Sequence, residues 1–371
     1  MITTVANKNL PMSEKPFNPM SVVRLSGAFM AYLIGSGFAT GQEGIQFFVS
    51  FGINGLIGCM ISFILLTYVC NILYKVGFKH GFKRNEDVFV HYCGNYVGKF
   101  LTWYTMIFIV AVYAIMLSGT GATIEQHYGL PSYIGTVLMA LLSGGTLLMG
   151  LRKIVNIIAI IGPIIVAFTI LISILTLVET PVTIVEGAAK VAEMDILAAS
   201  NNWLMSALLY AGLMIPGLAS FLPALGASAK CENDLKYSSI LGPLLFVGAL
   251  FLLVLALMVK VDVVNSSQIP VMALANDVLP VYASIFAIII FCGIYTTATP
   301  LLWTVCSRFA EDKTPKYNTL VVSLVLLGLI GATLLPFAQL VNWIYPTVGY
   351  AGLVFLACAI FKNMRSYKAN K

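Results

Sequence analysis

The chain has 371 residues, 59% of them apolar and 10% charged, with a mean hydropathy of +0.93. Soluble domains carry about 25% charged residues, so this chain cannot cover itself with polar surface, which excludes soluble enzymes, nucleic-acid binders and disordered scaffolds. The net charge of +6 reads as basic loops on one side of a membrane, with no nucleic-acid partner.

Residues 1–19 are polar, contain Pro11, Pro16 and Pro19, and read as a disordered tail and not a cleavable signal. The seven cysteines are scattered, without a CxxC pair or clustering with His80, His91 or His127, so neither a disulfide framework nor a metal site is implied. Crossing ~30 Å of hydrocarbon takes roughly 20 apolar residues in a helix. Ten such runs occur, at about 21–50, 52–76, 98–122, 132–150, 154–178, 201–225, 238–259, 279–309, 317–336 and 337–361. They are continuously apolar and do not alternate, which excludes a β-barrel.

With ten spans both termini share one side, and of the 21 basic residues only Lys190 and Lys260 then fall on the other. The positive-inside rule places the termini in the cytoplasm. The acidic outer loop 179–200 separates a first five-span half, 20–178, from a second, 201–361, followed by a tail at 362–371. Two halves with an odd number of spans have opposite topology, as in an inverted repeat.

Matching spans of such repeats are interrupted near the bilayer midplane. Span 1 reads Leu33-Ile34-Gly35-Ser36-Gly37-Phe38-Ala39-Thr40-Gly41-Gln42-Glu43, and span 6 reads Leu209-Tyr210-Ala211-Gly212-Leu213-Met214-Ile215-Pro216-Gly217. Glycine and proline weaken a helix, and unwound backbone at membrane depth must line a cavity. The competing reading of each stretch is close packing through small residues.

The stretch from Gly35 to Glu43, followed by Gln46-Phe47-Phe48, resembles the first-helix signature of the YkvI-like bacterial membrane proteins, and the likeness extends over essentially the whole chain. That family belongs to the amino acid, polyamine and organocation transporter superfamily. The resemblance implies an all-α membrane protein of the bacterial cell membrane, with ten transmembrane helices in a LeuT-type 5+5 inverted repeat and helices 1 and 6 broken. It further implies a Na+ site built from the carbonyls of Ala31, Ile34 and Gly293 and the hydroxyls of Thr296 and Thr297. Hard cations take oxygen ligands of this kind. The alternative is that both threonines bond back to their own helix. Span 5 has no Lys in place of the sodium, the device of proton-coupled relatives.

A substrate head group is expected at Ser36, Gly37 and Phe38, where free N–H groups at a helix N-terminus suit a carboxylate. Tyr210, Ala211 and Gly212 face it from span 6 on this reading. Tyr113 resembles the family's substrate-facing aromatic, with simple packing as its competitor. Glu43 lies about 12 Å beyond Gly35 along a straight helix, toward the outer mouth. It is open to the roles of gate contact, cation-attracting group, proton carrier or structural hydrogen bond. Asn156, Asn201, Asn202, Gln339 and Asn342 read as helix glue.

No HExxH, G-x-S-x-G or P-loop is present, so neither enzyme activity nor a bound cofactor is expected. The expected function is secondary active transport of a small, amino-acid-like solute by alternating access with Na+ coupling. The alternatives are a non-transporting receptor of the same fold, and proton-coupled or uncoupled transport. The partners implied are the lipid bilayer and the solute, and the sequence does not address oligomeric state.

Overall fold

The computed structural model describes residues 17–82, 87–149, 155–312 and 314–369, and among these the regular structure is helical with no strand. The expected tail at 1–16, the basic positions Lys83, Arg84, Arg152, Lys153 and Lys313, the side chain of Asn156, and 370–371 lie outside the described residues.

In chain order the helices are α1 Pro19–Leu33, α2 Ser36–Thr40, α3 Gln42–Phe47, α4 Ile53–His80, α5 Asp87–Tyr128, α6 Ser132–Met149, α7 Val155–Glu179 and α8 Ile184–Glu193. They continue as α9 Trp203–Ser228, α10 Glu232–Val259, α11 Val261–Val264, α12 Pro270–Val278, α13 Pro280–Phe309, α14 Pro315–Thr333 and α15 Phe337–Ala369. Eight of them (α4, α5, α6, α9, α10, α13, α14 and α15) are long and apolar enough to cross a membrane. The part of α7 from Pro163 passes the same test together with α8, across a bend of 98°. Their outward faces carry bare Ile64, Ile107, Leu141 and Ile330, a surface that suits lipid and not water.

The expected runs and the helices agree closely, because a continuous apolar run in lipid must satisfy its backbone internally. Three differences have local causes. α5 begins before its apolar run and kinks at Gly94, whose φ of 75° is open to glycine but costly for other residues. The loop 179–200 contains α8, whose Thr183 and Glu186 form a reciprocal capping box. The segment 362–369, expected as a tail, is helical and continues α15.

Helix packing repeats between the two halves. α1 packs on α10 as α9 packs on α4, α7 on α13 as α15 on α5, α6 on α13 as α14 on α5, and α5 on α6 as α13 on α14. The α7–α10 contact has its counterpart in the Asn363 Nδ2 to Tyr68 Oη hydrogen bond between α15 and α4, 3.1 Å. Close approaches run through small residues: a Cβ added to Gly77 would lie 2.1 Å from the Pro223 carbonyl oxygen, and one on Gly226 2.2 Å from that of Tyr74. Association of helices in lipid relies on such contact, since burial of apolar surface gives no net drive there.

Candidate functional site

The first expected span is three pieces. α1 stops at Leu33, Ile34 and Gly35 are extended (ψ 95° and −170°), and α2 runs for five residues to Gly41, whose φ of 87° turns the chain into the six-residue α3. Gly35 has only ordinary neighbours, with Met116 Cε 3.5 Å and Thr297 Cγ2 3.9 Å from an added Cβ. No close helix approach demands a glycine there.

At this interruption Thr297 Oγ1 of α13 donates to the Ile34 carbonyl at 3.2 Å and to its own Gly293 carbonyl at 3.2 Å, and Thr296 Oγ1 donates to Gly293 at 2.8 Å. The Ile34 and Gly293 carbonyls therefore meet at the Thr297 hydroxyl, the Thr296 hydroxyl also lies on Gly293, and Ala31 is one turn before Ile34 in α1. Thr296 bonds within its own helix, as the competing reading held; Thr297 also crosses to the other half.

The expected break in helix 6 is corrected, since α9 is helical through Trp203–Ser228 with Pro216 and Pro223 inside it. Pro216 has no N–H and leaves the Gly212 carbonyl without its helical donor. That oxygen faces Gly352 of α15, where an added Cβ would sit 1.9 Å away, and a Cβ on Gly212 would sit 2.3 Å from the Gly349 carbonyl. Gly212 thus packs closely between α9 and α15.

Tyr113 is likewise held between helices. Its hydroxyl bonds Ser143 Oγ of α6 at 2.8 Å, and its ring covers Gly328 of α14, where a Cβ would lie 2.6 Å away. Met116, one turn on, is the α5 residue that reaches Gly35. Phe38 is fully buried against Phe246 of α10, ring centroids 5.4 Å apart, and Ala211 is buried within α9.

Ser36, Gly37, Glu43 and Tyr210 are brought together. The turn at Gly41 folds Glu43 back, so that a Cβ on Gly37 would sit 2.1 Å from its Oε1; the straight-helix placement toward the outer mouth does not hold. Tyr210 Oη donates to Glu43 Oε2 at 3.2 Å and packs on Phe47 and Phe48. Tyr345 of α15, which sequence reasoning missed, lies beside Ser36, the Gly37 backbone and Glu43. α2 is also too short to present a helix dipole of the size a carboxylate site on a long helix has.

Above this cluster, at the end of the bundle remote from the start of α1, side-chain amides tie five segments together: α3, 267–269, the start of α15, the loop at Ala198 and α5. Gln42 Nε2 donates to the carbonyls of Ser267 (3.0 Å) and Gln268 (3.1 Å), and Gln46 Nε2 to Gln42 Oε1 and to the Ala338 carbonyl, both 2.8 Å. Asn342 donates to Gln46 Oε1 at 3.2 Å and to the Ala198 carbonyl at 2.8 Å. Gln126 accepts from Ile269 N and Ser267 Oγ and donates to the Ile269 carbonyl. Asn202 instead caps α9. Over the amides opens a vestibule of about 620 Å³, lined by Glu125, Gln126, Ser267, Gln268 and Asp277 among others.

No protein-family profile matches this chain. Over 92% of its length it is 21% identical to the uncharacterized membrane protein YkvI of Bacillus subtilis (strain 168), covering 96% of that protein. Over 88% it is 26% identical to the uncharacterized protein YyaD of the same organism, covering 93% of it. Among solved structures it resembles the inward-facing conformation of Mhp1, with a TM-score of 0.59 at 15% identity over 94% of this chain and 80% of that one. It resembles a substrate-bound, outward-open Na+-coupled sialic acid symporter equally (TM-score 0.59, 13% identity, 92% and 78% covered). The manganese transporter of Eremococcus coleocola gives the same score, at 14% identity over 95% and 81%.

The chain has the LeuT-type fold of these transporters. Within that fold Ile34 and the Glu43 cluster are buried, Gly35 and Thr297 are half-buried, and the amide lattice adjoins the cluster through α3.

Proposed function

We propose that the protein is a secondary transporter that moves a small, amino-acid-like solute across the cell membrane by alternating access, coupled to Na+. The observation that carries this reading is the Thr297 hydroxyl, which lies within hydrogen-bond reach of the Ile34 and Gly293 carbonyls at the one place where α1 gives up its helix. An ion at this point exchanges hydroxyl–carbonyl bonds for ion–oxygen contacts, and because the ligands come from both halves its binding depends on their relative position. Differential affinity of that kind is what couples an ion gradient to a conformational cycle. The paired helix contacts support reading the two halves as inverted repeats, with α1–α3 and α9 as equivalent first spans, which makes ten spans and two cytoplasmic termini. The ion-coupled transport named for the sialic acid symporter fits this chemistry.

The full chain is reconstituted in liposomes and assayed for accumulation of labelled neutral amino acids under an inward Na+ gradient, with choline as control. Accumulation of one solute with Na+, abolished by Thr297→Ala, is the expected result. Accumulation that persists in choline and in the variant refutes Na+ coupling. Specific binding of the same solutes with no accumulation under any gradient refutes transport in favour of a receptor.

A further inference from the structure

Glu43 is 4% exposed and, among the described residues, takes part in none of the ion pairs, which join Lys75 to Glu232, Lys190 to Asp262 and Lys260 to Asp277. Its hydrogen bond from Tyr210 leaves the rest of its acceptor capacity unused. A buried carboxylate without a counter-charge is costly, and proteins resolve the cost with a proton or a bound cation. A second buried group at the same place also lacks a partner: Ser36 Oγ, fully buried, has no hydrogen bond. Tyr345 stands beside both.

The three candidate occupants differ in what they satisfy. A proton on Glu43 removes the charge but brings a single donor to the three oxygens of Glu43, Ser36 and Tyr345. A divalent metal lacks ligands, since no three His, Cys, Asp or Glu side chains gather among the described residues. An ammonium group has three donors and a positive charge, enough for Glu43, Ser36 Oγ and the Tyr345 hydroxyl together. We infer that Glu43, Ser36 and Tyr345 form the seat of a solute's ammonium group, with Tyr210 holding the carboxylate in position, so that the ligand is a primary amine or a zwitterion bearing one. The seat is separate from the oxygens around Thr297, and it names the substrate class of the transporter proposed above, on which its role in transport rests. The vestibule beyond the amide lattice suits a cationic group, since Glu125 and Asp277 line it and no basic residue does, although Asp277 is paired with Lys260 at 2.8 Å. Acidic clefts raise the local concentration of cations.

The test uses the detergent-purified full chain and titrates neutral L-amino acids and n-alkylammonium salts, each amino acid against its N-acetyl derivative, with thermal stability and direct affinity as readouts. Expected are stabilisation by at least one amine-bearing probe, none by its N-acetyl form, an affinity at least tenfold weaker in Glu43→Gln, and a smaller loss in Ser36→Ala. Glu43→Asp, which keeps the charge, retains more affinity than Glu43→Gln. Equal binding of the N-acetyl form, unchanged affinity in Glu43→Gln, or stabilisation by acid alone with no response to any amine would each overturn the proposal. The wild-type comparison of amine with N-acetyl probe stands even if a variant fails to fold. Binding of an amine without uptake into proteoliposomes keeps the seat and ends the transporter reading; uptake of an N-acetyl compound but not its amine does the reverse.

Discussion

The start of each half carries the same kind of helix-weakening residues and uses them for opposite ends. At Gly35 the chain leaves the helix and its neighbours stand at ordinary distance, whereas at Gly212 the helix continues and the neighbouring backbone of α15 fills the space a side chain would take. Glycine in a membrane helix therefore has two physical meanings, loose backbone and close approach. The partner 137 residues away, Gly349, decides which applies, and no local pattern does.

This contrast can be broken most forcefully at the packed region. Gly212→Val forces α9 from α15 and is expected to cost about 3 kcal/mol or more, in the range of severe overpacking, read as loss of monodisperse protein and a lowered melting temperature. Gly35→Ala meets no close atom and is expected to change stability by less than about 1 kcal/mol, while any effect falls on solute or ion affinity. Equal destabilisation by Gly35→Ala and Gly212→Ala would remove the distinction.

The amide lattice offers an intermediate effect. Gln46→Leu leaves the Gln42 oxygen without a partner, at about 1–3 kcal/mol where water cannot reach it, and takes one of two partners each from the Asn342 amide, which keeps Ala198, and the Ala338 carbonyl, which stays in its helix. That loss is expected to open this end of the bundle, with faster labelling of a cysteine introduced at Ser267. Unchanged labelling would show that the lattice does not hold the end closed.

The smallest effect lies at α8, beyond the 98° bend after α7, where Glu186 is exposed. The Thr183 backbone and hydroxyl hold the Glu186 carboxylate below its ordinary pKa. The cap is therefore fully present above the usual carboxylate range and is lost as the pH falls through the lowered value. Amide exchange in 184–193 is expected to quicken only in that acid window, and Glu186→Gln should remove the pH dependence.

The apolar runs made most of the long helices legible to within a few residues, with α5 and α15 extending further and the first run interrupted, because lipid forces both composition and helical backbone on them. α8 lay outside that criterion, yet its Thr183 and Glu186 spacing is a capping signal readable in the sequence. Ile34, Gly293 and Thr297 were legible as a set only through resemblance, and the structure places them together. Tyr113 and Met116 lie one turn apart on α5, and the sequence holds nothing that says which of them meets Gly35. Tyr345 and Gln268 enter their clusters across the repeat, where only tertiary packing sets the neighbours. Glu43 was conspicuous as an acid at depth, but its direction depends on the turn at Gly41.

The most direct measurement is the melting temperature of the detergent-purified protein in NaCl against choline chloride at equal ionic strength, for the natural chain and Thr297→Ala. An ion that binds only the folded state at 100 times its dissociation constant stabilises it by about 2.7 kcal/mol. A rise of several degrees with Na+ in the natural chain, absent in Thr297→Ala, is the result the account predicts. The same melting temperature in both salts, or a Na+ effect that survives the substitution, would contradict it.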